Sequence, residues 1–265
     1  MNFSVFVVLA AALTSAPAAA SDVRIHSISD ISHEFTFYMD GRFWSQYIGK
    51  TNGEDARNWG TLYKLDLKNI NLLVLFSGPG PVPYTAKDIA HVRSFVQDGG
   101  TALVMSDAPG GKQRFPFPIQ TLANAFGAAF LPVPAQKPLR AAPFLNAARV
   151  QYRDGGILQL TRGWNILVTD RGGRPLMAQR QQGKGNVLVA SRGLFGHEPD
   201  GSDPVNAEWI APLLKELVRN RPVWILLHPL RGSLPTCRTI WATWLWSTTK
   251  APRALRMASL KSSAK

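Results

Sequence analysis

The segment from Ile70 to Asp107 constrains the fold more than any other part of the chain. Asn71-Leu72-Leu73-Val74-Leu75-Phe76 is a short, continuous apolar run closed by Ser77-Gly78-Pro79-Gly80. A strand buried on both faces of a parallel sheet has this composition, because neither face is left for polar residues. Thr85 then reads as a helix N-cap with Asp88 three residues on, and Ile89, Val92, Phe95 and Val96 share one helical face. Gly99-Gly100 end the helix. Thr101-Ala102-Leu103-Val104-Met105 form the next buried strand, with Ser106-Asp107 at its C-terminal end. In open α/β sheets ligands bind outside that edge. An α/β class follows, with a mainly parallel sheet flanked by helices.

The rest of the chain extends this pattern. Phe35, Phe37 and Met39 alternate with Thr36 and Tyr38, which predicts the first strand over 31–39. A polar loop, 50–55, leads into a short helix over 56–65, with Trp59, Leu62 and Tyr63 on one side. Ile119, Leu122, Ala123 and Phe126 predict a helix over 117–130, followed by a proline-rich loop over 132–143. Strands are expected at 150–160, 164–169, 176–181 and 186–191, with a hairpin turn at 170–174. These strands have room to add an antiparallel edge. Trp209, Ile210, Leu213, Leu214 and Leu217 form the buried stripe of a last helix over 204–219.

With 265 residues and 45% apolar content, the chain can build a full core in one large domain. Residues 1–20 read as a secretory signal. Phe3 to Leu13 is an apolar core too short to span a membrane, and Ala-Pro-Ala-Ala-Ala precedes Ser21. Export to a periplasm or the extracellular space is expected. Cys237 is the only cysteine, so no internal disulfide forms. Of the net charge of +13, the span 224–265 carries +7 with no Asp or Glu, leaving +6 for residues 1–223. That body lacks a dense basic patch with interleaved aromatics, which argues against nucleic acid as a partner. The expected division is a signal over 1–20, an α/β domain over 25–223 and a basic, Trp-rich tail over 224–265. Two readings of the tail stand side by side: a membrane-surface segment, or an out-of-frame end without selected structure.

The pattern Leu72-Leu73-Val74-Leu75…Ala90-His91-Val92-Arg93…Gly99-Gly100-Thr101-Ala102-Leu103-Val104 resembles the class I glutamine amidotransferase-like superfamily, in its flavodoxin-like sense. So does Gly185-Asn186-Val187-Leu188-Val189-Ala190 followed by Phe195-Gly196-His197-Glu198-Pro199. The resemblance covers about residues 31–223. Ser106 stands where catalytic members of that family carry a cysteine, and the late motif reads His-Glu-Pro rather than His-Pro-Glu. Glutaminase chemistry needs a thiolate, and a serine there would need its own activating base. Similar modules without the cysteine occur in secreted proteins that carry an enhancin-type metallopeptidase, but no His-Glu-x-x-His zinc motif is present here. The resemblance therefore implies a non-catalytic binding or accessory module of a larger carbohydrate- or peptide-processing protein, contacting carbohydrate or a partner domain.

The rival is a hydrolase. Ser106 or Asp107 would act with His197 as base and Glu198 as its orienting carboxylate. Ordinary turn chemistry accounts for Ser106-Asp107 as well, and a polar loop accounts for His197-Glu198. Asn52, Glu54, Asp55 and Arg57 form a polar cluster expected at a helix start on the same sheet edge, suited to anions or sugar hydroxyls. A plain N-cap explains that cluster equally well. The glycines at 78–80 and 183–185 lack the Lys-Ser/Thr of a phosphate loop, and Asp200 and Asp203 lack a full calcium loop. No metal and no cofactor is expected.

Overall fold

The apolar run Leu72–Phe76 is a strand (β3) in which every residue is buried, and Thr101–Ser106 (β4) is buried throughout as well. The computed structural model describes residues 23–33, 47–51, 53–76, 82–106, 117–153, 155–195 and 205–219. Two strands precede β3: His26–Asp30 (β1) and Glu54–Asn58 (β2). After β4 come Ala128–Pro134 (β5), Arg140–Ala141 (β6), Gly156–Leu160 (β7), Asn165–Thr169 (β8), Pro175–Gln182 (β9) and Gly185–Ser191 (β10). The α-helices are Ala86–Gln97 (α1), Pro118–Ala125 (α2) and Ala207–Leu217 (α3). Among the described residues no helix is long and apolar enough to cross a membrane.

The main sheet runs β2-β1-β3-β4-β10-β9-β8-β6. The first five positions are all parallel, and β9, β8 and β6 continue the sheet antiparallel. Numbered among the parallel strands alone, that order is 2-1-3-4-5, the order of flavodoxin-like sheets. Alternate residues of each strand serve opposite layers. Leu72, Val74, Leu103, Met105, Leu188 and Ala190 pack with Trp209, Ile210, Leu213, Leu214 and Leu217 of α3. Leu73, Leu75, Ala102, Val104, Val187 and Val189 pack with α1 through Val92, Phe95 and Val96, and with α2 through Ile119, Leu122 and Ala123. The small β5–β7 sheet joins this second layer through Ala128, Phe130 and Leu158.

Side chains also tie the elements together. Thr85 and Asp88 close a capping box on α1. Thr101 and Asn186 are register partners, and both donate to the Leu217 carbonyl at the end of α3, at 2.8 and 3.0 Å. A helix leaves its last carbonyls unpaired, so the two strand starts satisfy one of them. At the other end of α3, Asn206 takes the left-handed conformation (φ 61) and bonds the backbone of Gln151 and Leu194.

Several expectations change. The first described strand is His26–Asp30; Ser32 and His33 lie in a turn, and residues 34–39 fall outside the described residues. The helix expected over 56–65 is replaced by strand β2 and a 3-10 turn at Leu62–Lys64. Leu62 is buried while Trp59 and Tyr63 are exposed, so the three do not share a side. The pattern misled because β2 is an edge strand whose polar residues need no alternation. The helix expected to run to Phe130 stops at Ala125, and Gly127 (φ 76) turns the chain into β5. The proline-rich stretch contains the end of β5 and all of β6, and the strand expected from Val150 begins at Gly156. The strands from 165 to 191, the turn at 170–174, the buried stripe of α3 and the capping residues of α1 stand as expected.

One contact tests the sheet's central seam. A Cβ on Gly185 would collide with the backbone carbonyl oxygens of Gly100 and Val96. Backbone cannot swing aside as a side chain can. Gly185→Ala is expected to cost about 3 kcal/mol or more in urea unfolding. Gly49→Ala, where a Cβ meets nothing within 4 Å, is expected to leave stability within about 0.5 kcal/mol.

Candidate functional site at the switch point of the sheet

In the order 2-1-3-4-5 the direction of winding reverses between β1 and β3, and the crevice outside their C-terminal ends is where such sheets bind ligands. β1 ends there at Asp30, opposite Asn58 of β2 and Leu75 of β3. Asp30 has no exposed surface, and five donors converge on its carboxylate. Oδ1 accepts the Ser32 hydroxyl at 2.7 Å, the Ser32 amide at 3.3 Å and Asn58 Nδ2 at 3.0 Å. Oδ2 lies 2.9 Å from His33 Nδ1 and accepts Tyr84 OH at 3.4 Å.

His33 stacks on the Tyr84 ring, with centroids 3.9 Å apart and 13° between planes. Its Nε2 lies 3.8 Å from Asp88 Oδ2. Asp88 in turn accepts the Thr85 amide and hydroxyl on Oδ2 and the Tyr63 amide on Oδ1. Asp30, His33, Tyr84 and Asp88 are all buried. One polar network thus ties the ends of β1 and β2 to the start of α1. Around it, Trp59 (63% exposed), Tyr63 (36%) and Val82 (49%) present apolar surface, and Lys87 Nζ lies 5.4 Å from the Tyr63 ring centroid. Trp59 follows the last residue of β2, and Val82 lies between β3 and α1, so both belong to the same sheet edge.

Ser106 ends β4 two strands away, in register with Ser191 of β10, and both are buried. Tyr152 OH lies 3.1 Å from Ser191 Oγ, and the Arg192 guanidinium covers the Phe76 ring at 4.8 Å. Asp107, His197, Glu198 and Asn52 lie outside the described residues.

The remaining polar candidates sit elsewhere than expected. Glu54 opens β2, at the N-terminal end of the parallel ladder opposite His26, whose Nδ1 is 3.8 Å from its carboxylate. No helix starts there. Asp55 is register partner to Ser27, and Arg57 to Ser29. Asp55 Oδ1 accepts the Ser27 hydroxyl at 2.5 Å and that of Ser29 at 3.2 Å, while Oδ2 is buried without a partner among the described residues. Burial pushes the Asp55 carboxyl up from 3.8 to about 6, against the pull of both hydroxyls and of Arg57. Asp170, in the β8–β9 turn, goes the other way. Desolvation raises it, but the Arg174 side chain and the backbone amides of Gln136 and Arg174 bring it down to about 2.

Asp30, His33 and Tyr84 escaped the reading of the sequence. In His26-Ser27-Ile28-Ser29-Asp30 only Ile28 is apolar, and the more apolar alternation after it drew the first strand to 31–39.

No family model matches the chain, and no curated protein matches it. Solved structures similar to it include the mmIFT52 N-terminal domain, at 16% identity over 62% of this chain and 85% of that one, with a TM-score of 0.44. A ThuA-like protein from Parabacteroides merdae is 10% identical over 77% of this chain and 93% of its own, with a TM-score of 0.43. A GMP synthase subunit from Thermoplasma acidophilum is 11% identical over 74% of this chain and 94% of its own, also with a TM-score of 0.43.

The raised Asp55 carboxyl has a testable sign. Its folded value, about 6, lies above the ordinary 3.8, so the folded state holds the proton more tightly. The stabilisation this gives is fully present below pH 3.8 and fades as pH rises through about 6. Asp55→Asn removes the ionisation. The variant is expected to exceed the parent by about 1–3 kcal/mol at pH 7.5 and to lose that advantage at pH 4, in paired urea unfolding curves. An equal difference at both pH values would refute the assignment.

Proposed function

We propose that the chain is an exported, non-catalytic binding module related to the amidotransferase-like proteins, and that it holds carbohydrate at the C-terminal edge of the sheet beside β1 and β2. The observation that carries this reading is the pairing of exposed Trp59 and Tyr63 with the buried network around Asp30. A sugar ring offers an apolar C–H face to an aromatic ring and hydroxyls to polar groups. Aromatic side chains that keep a large exposed face on a fixed backbone meet the first need, since little further ordering is required on binding. The Trp59–Gly60 turn is fixed by Asn58, which bonds Gly60 through both its amide atoms, each at 3.0 Å. Tyr63 is fixed through its amide by Asp88. Binding is favoured over hydrolysis because the serine in the nucleophile's place is buried while these rings are exposed.

The test is titration of the exported protein with a panel of neutral oligosaccharides by tryptophan fluorescence and calorimetry. Trp59→Ala and Tyr63→Ala are each expected to weaken the best ligand about tenfold or more, corresponding to about 1.4 kcal/mol, with unchanged circular dichroism. Ester hydrolysis that disappears in Ser106→Ala would instead establish the hydrolase rival. A panel with no binder would remove carbohydrate from the reading.

A further inference from the structure

A second cluster lies on the face of the sheet that carries α1 and α2. Arg180 of β9 pairs with Val187 of β10, and Val187 and Ala178 both pack into that layer. The Arg180 guanidinium covers the Trp164 ring at 4.8 Å from its centroid. Arg93 of α1 covers Phe126 at 5.9 Å and donates to the Ala125 carbonyl at the end of α2. The two aromatic supports are joined through the backbone: the Thr161 amide donates to Gly127 O at 2.9 Å, one residue beyond Phe126 and three before Trp164.

Two cations are thus brought to one wall, and neither has a carboxylate among the described residues. Burial first, and then the charge of Arg93, push the Arg180 guanidinium below its usual range. Trp164 Nε1 is a buried donor without an acceptor among the described residues. Arg93 alone has a structural explanation, since a cation at a helix C-terminus is favourable. Arg180 has the Trp164 ring and no acceptor among the described residues. A partly buried guanidinium that feels a like charge and has no anionic partner lacks the full compensation that such groups normally find.

We propose that Arg93 and Arg180 form an oxyanion site for a phosphate or sulfate group. Arg180, placed over the Trp164 ring, offers the planar fork that matches two oxygens, and Arg93 supplies the second charge. The site is separate from the carbohydrate edge. Arg180 lies beside the start of β10, at the end of the sheet where β4 begins, whereas Trp59 follows the C-terminal end of β2. Its failure would leave the carbohydrate reading untouched.

The experiment uses the full chain and inorganic phosphate, with glucose 6-phosphate as the ester, in calorimetry and phosphorus NMR at ionic strength held constant with sodium chloride. Saturable binding of either probe is expected, weakened about tenfold or more (1.4 kcal/mol per tenfold) in Arg180→Gln and less in Arg180→Lys. Tighter binding of the ester would mean the wall reads the carrier, and equal binding that it reads the group alone; both support the site. Arg93→Gln removes a helix contact, so its loss of binding counts only with an unchanged circular dichroism spectrum. The Arg180 side chain makes no hydrogen bond to a helix end among the described residues, so its variants, checked by the same spectrum, keep the test decisive. Binding no stronger than chloride, or full binding by Arg180→Gln, would overturn the proposal.

Discussion

Strand β10 is the pivot of the molecule, and it works because Gly185 lets backbones touch. It is parallel to β4 on one side and antiparallel to β9 on the other. Parallel neighbours have no hairpin to set their register, so something else must. Here Gly185 closes against the carbonyl of Gly100, and the next pair, Thr101 and Asn186, reach for the same carbonyl of α3. A slip of one residue would put those side chains on the opposite face and orphan the helix end. The same contact therefore fixes the β4–β10 register, the seat of α3 and the switch from the parallel to the antiparallel half.

The two halves have different tasks. Hairpin-connected strands β8, β9 and β10 form from local contacts, while the parallel strands need each crossover segment to dock first. At the C-terminal edge of the parallel half, Asp30 gathers donors from the turn after β1, from β2 and from the stretch before α1. A buried carboxylate without such donors would be strongly destabilising. Saturated with donors, it ties together the turn after β1, the end of β2 and the stretch before α1, and the proposed carbohydrate site relies on that tie to keep Trp59 and Tyr63 in place.

How much of this was legible depended on how local its cause was. The unit from β3 to β4 could be read because burial on both faces, a capping box and a glycine stop are written into neighbouring residues. Strand β1 could not, since Ser27 and Ser29 look like loop residues until Asp55, far along the chain, gives their hydroxyls an acceptor. Strand β2 had the same difficulty: Glu54-Asp55-Ala56-Arg57-Asn58 has helix-forming composition, and only pairing with β1 extends it. The polar network of the site joins residues 30, 33, 58, 84 and 88, and no spacing rule connects them. Ser106, by contrast, was found because it ends a strand whose bounds were plain.

The buried carboxylates show where the molecule departs from full internal compensation. Asp30, Asp88 and Asp170 each have donors on both oxygens. Asp55 has donors on one oxygen only among the described residues, and burial raises its carboxyl to about 6, so it gives up its proton less readily. The same contrast holds between Arg174, paired to Asp170 at 2.6 Å, and Arg180, which has no carboxylate partner among the described residues and feels the charge of Arg93. Sequences that fold well are locally consistent, and the exceptions concentrate at strained or functional places. One exception lies on the β1–β2 ladder, and the other at the crossing of α1, α2 and β9. Saturated groups at the switch point make it a scaffold for surface rings, whereas the incomplete groups at these two places are the ones a proton or an anion can still complete.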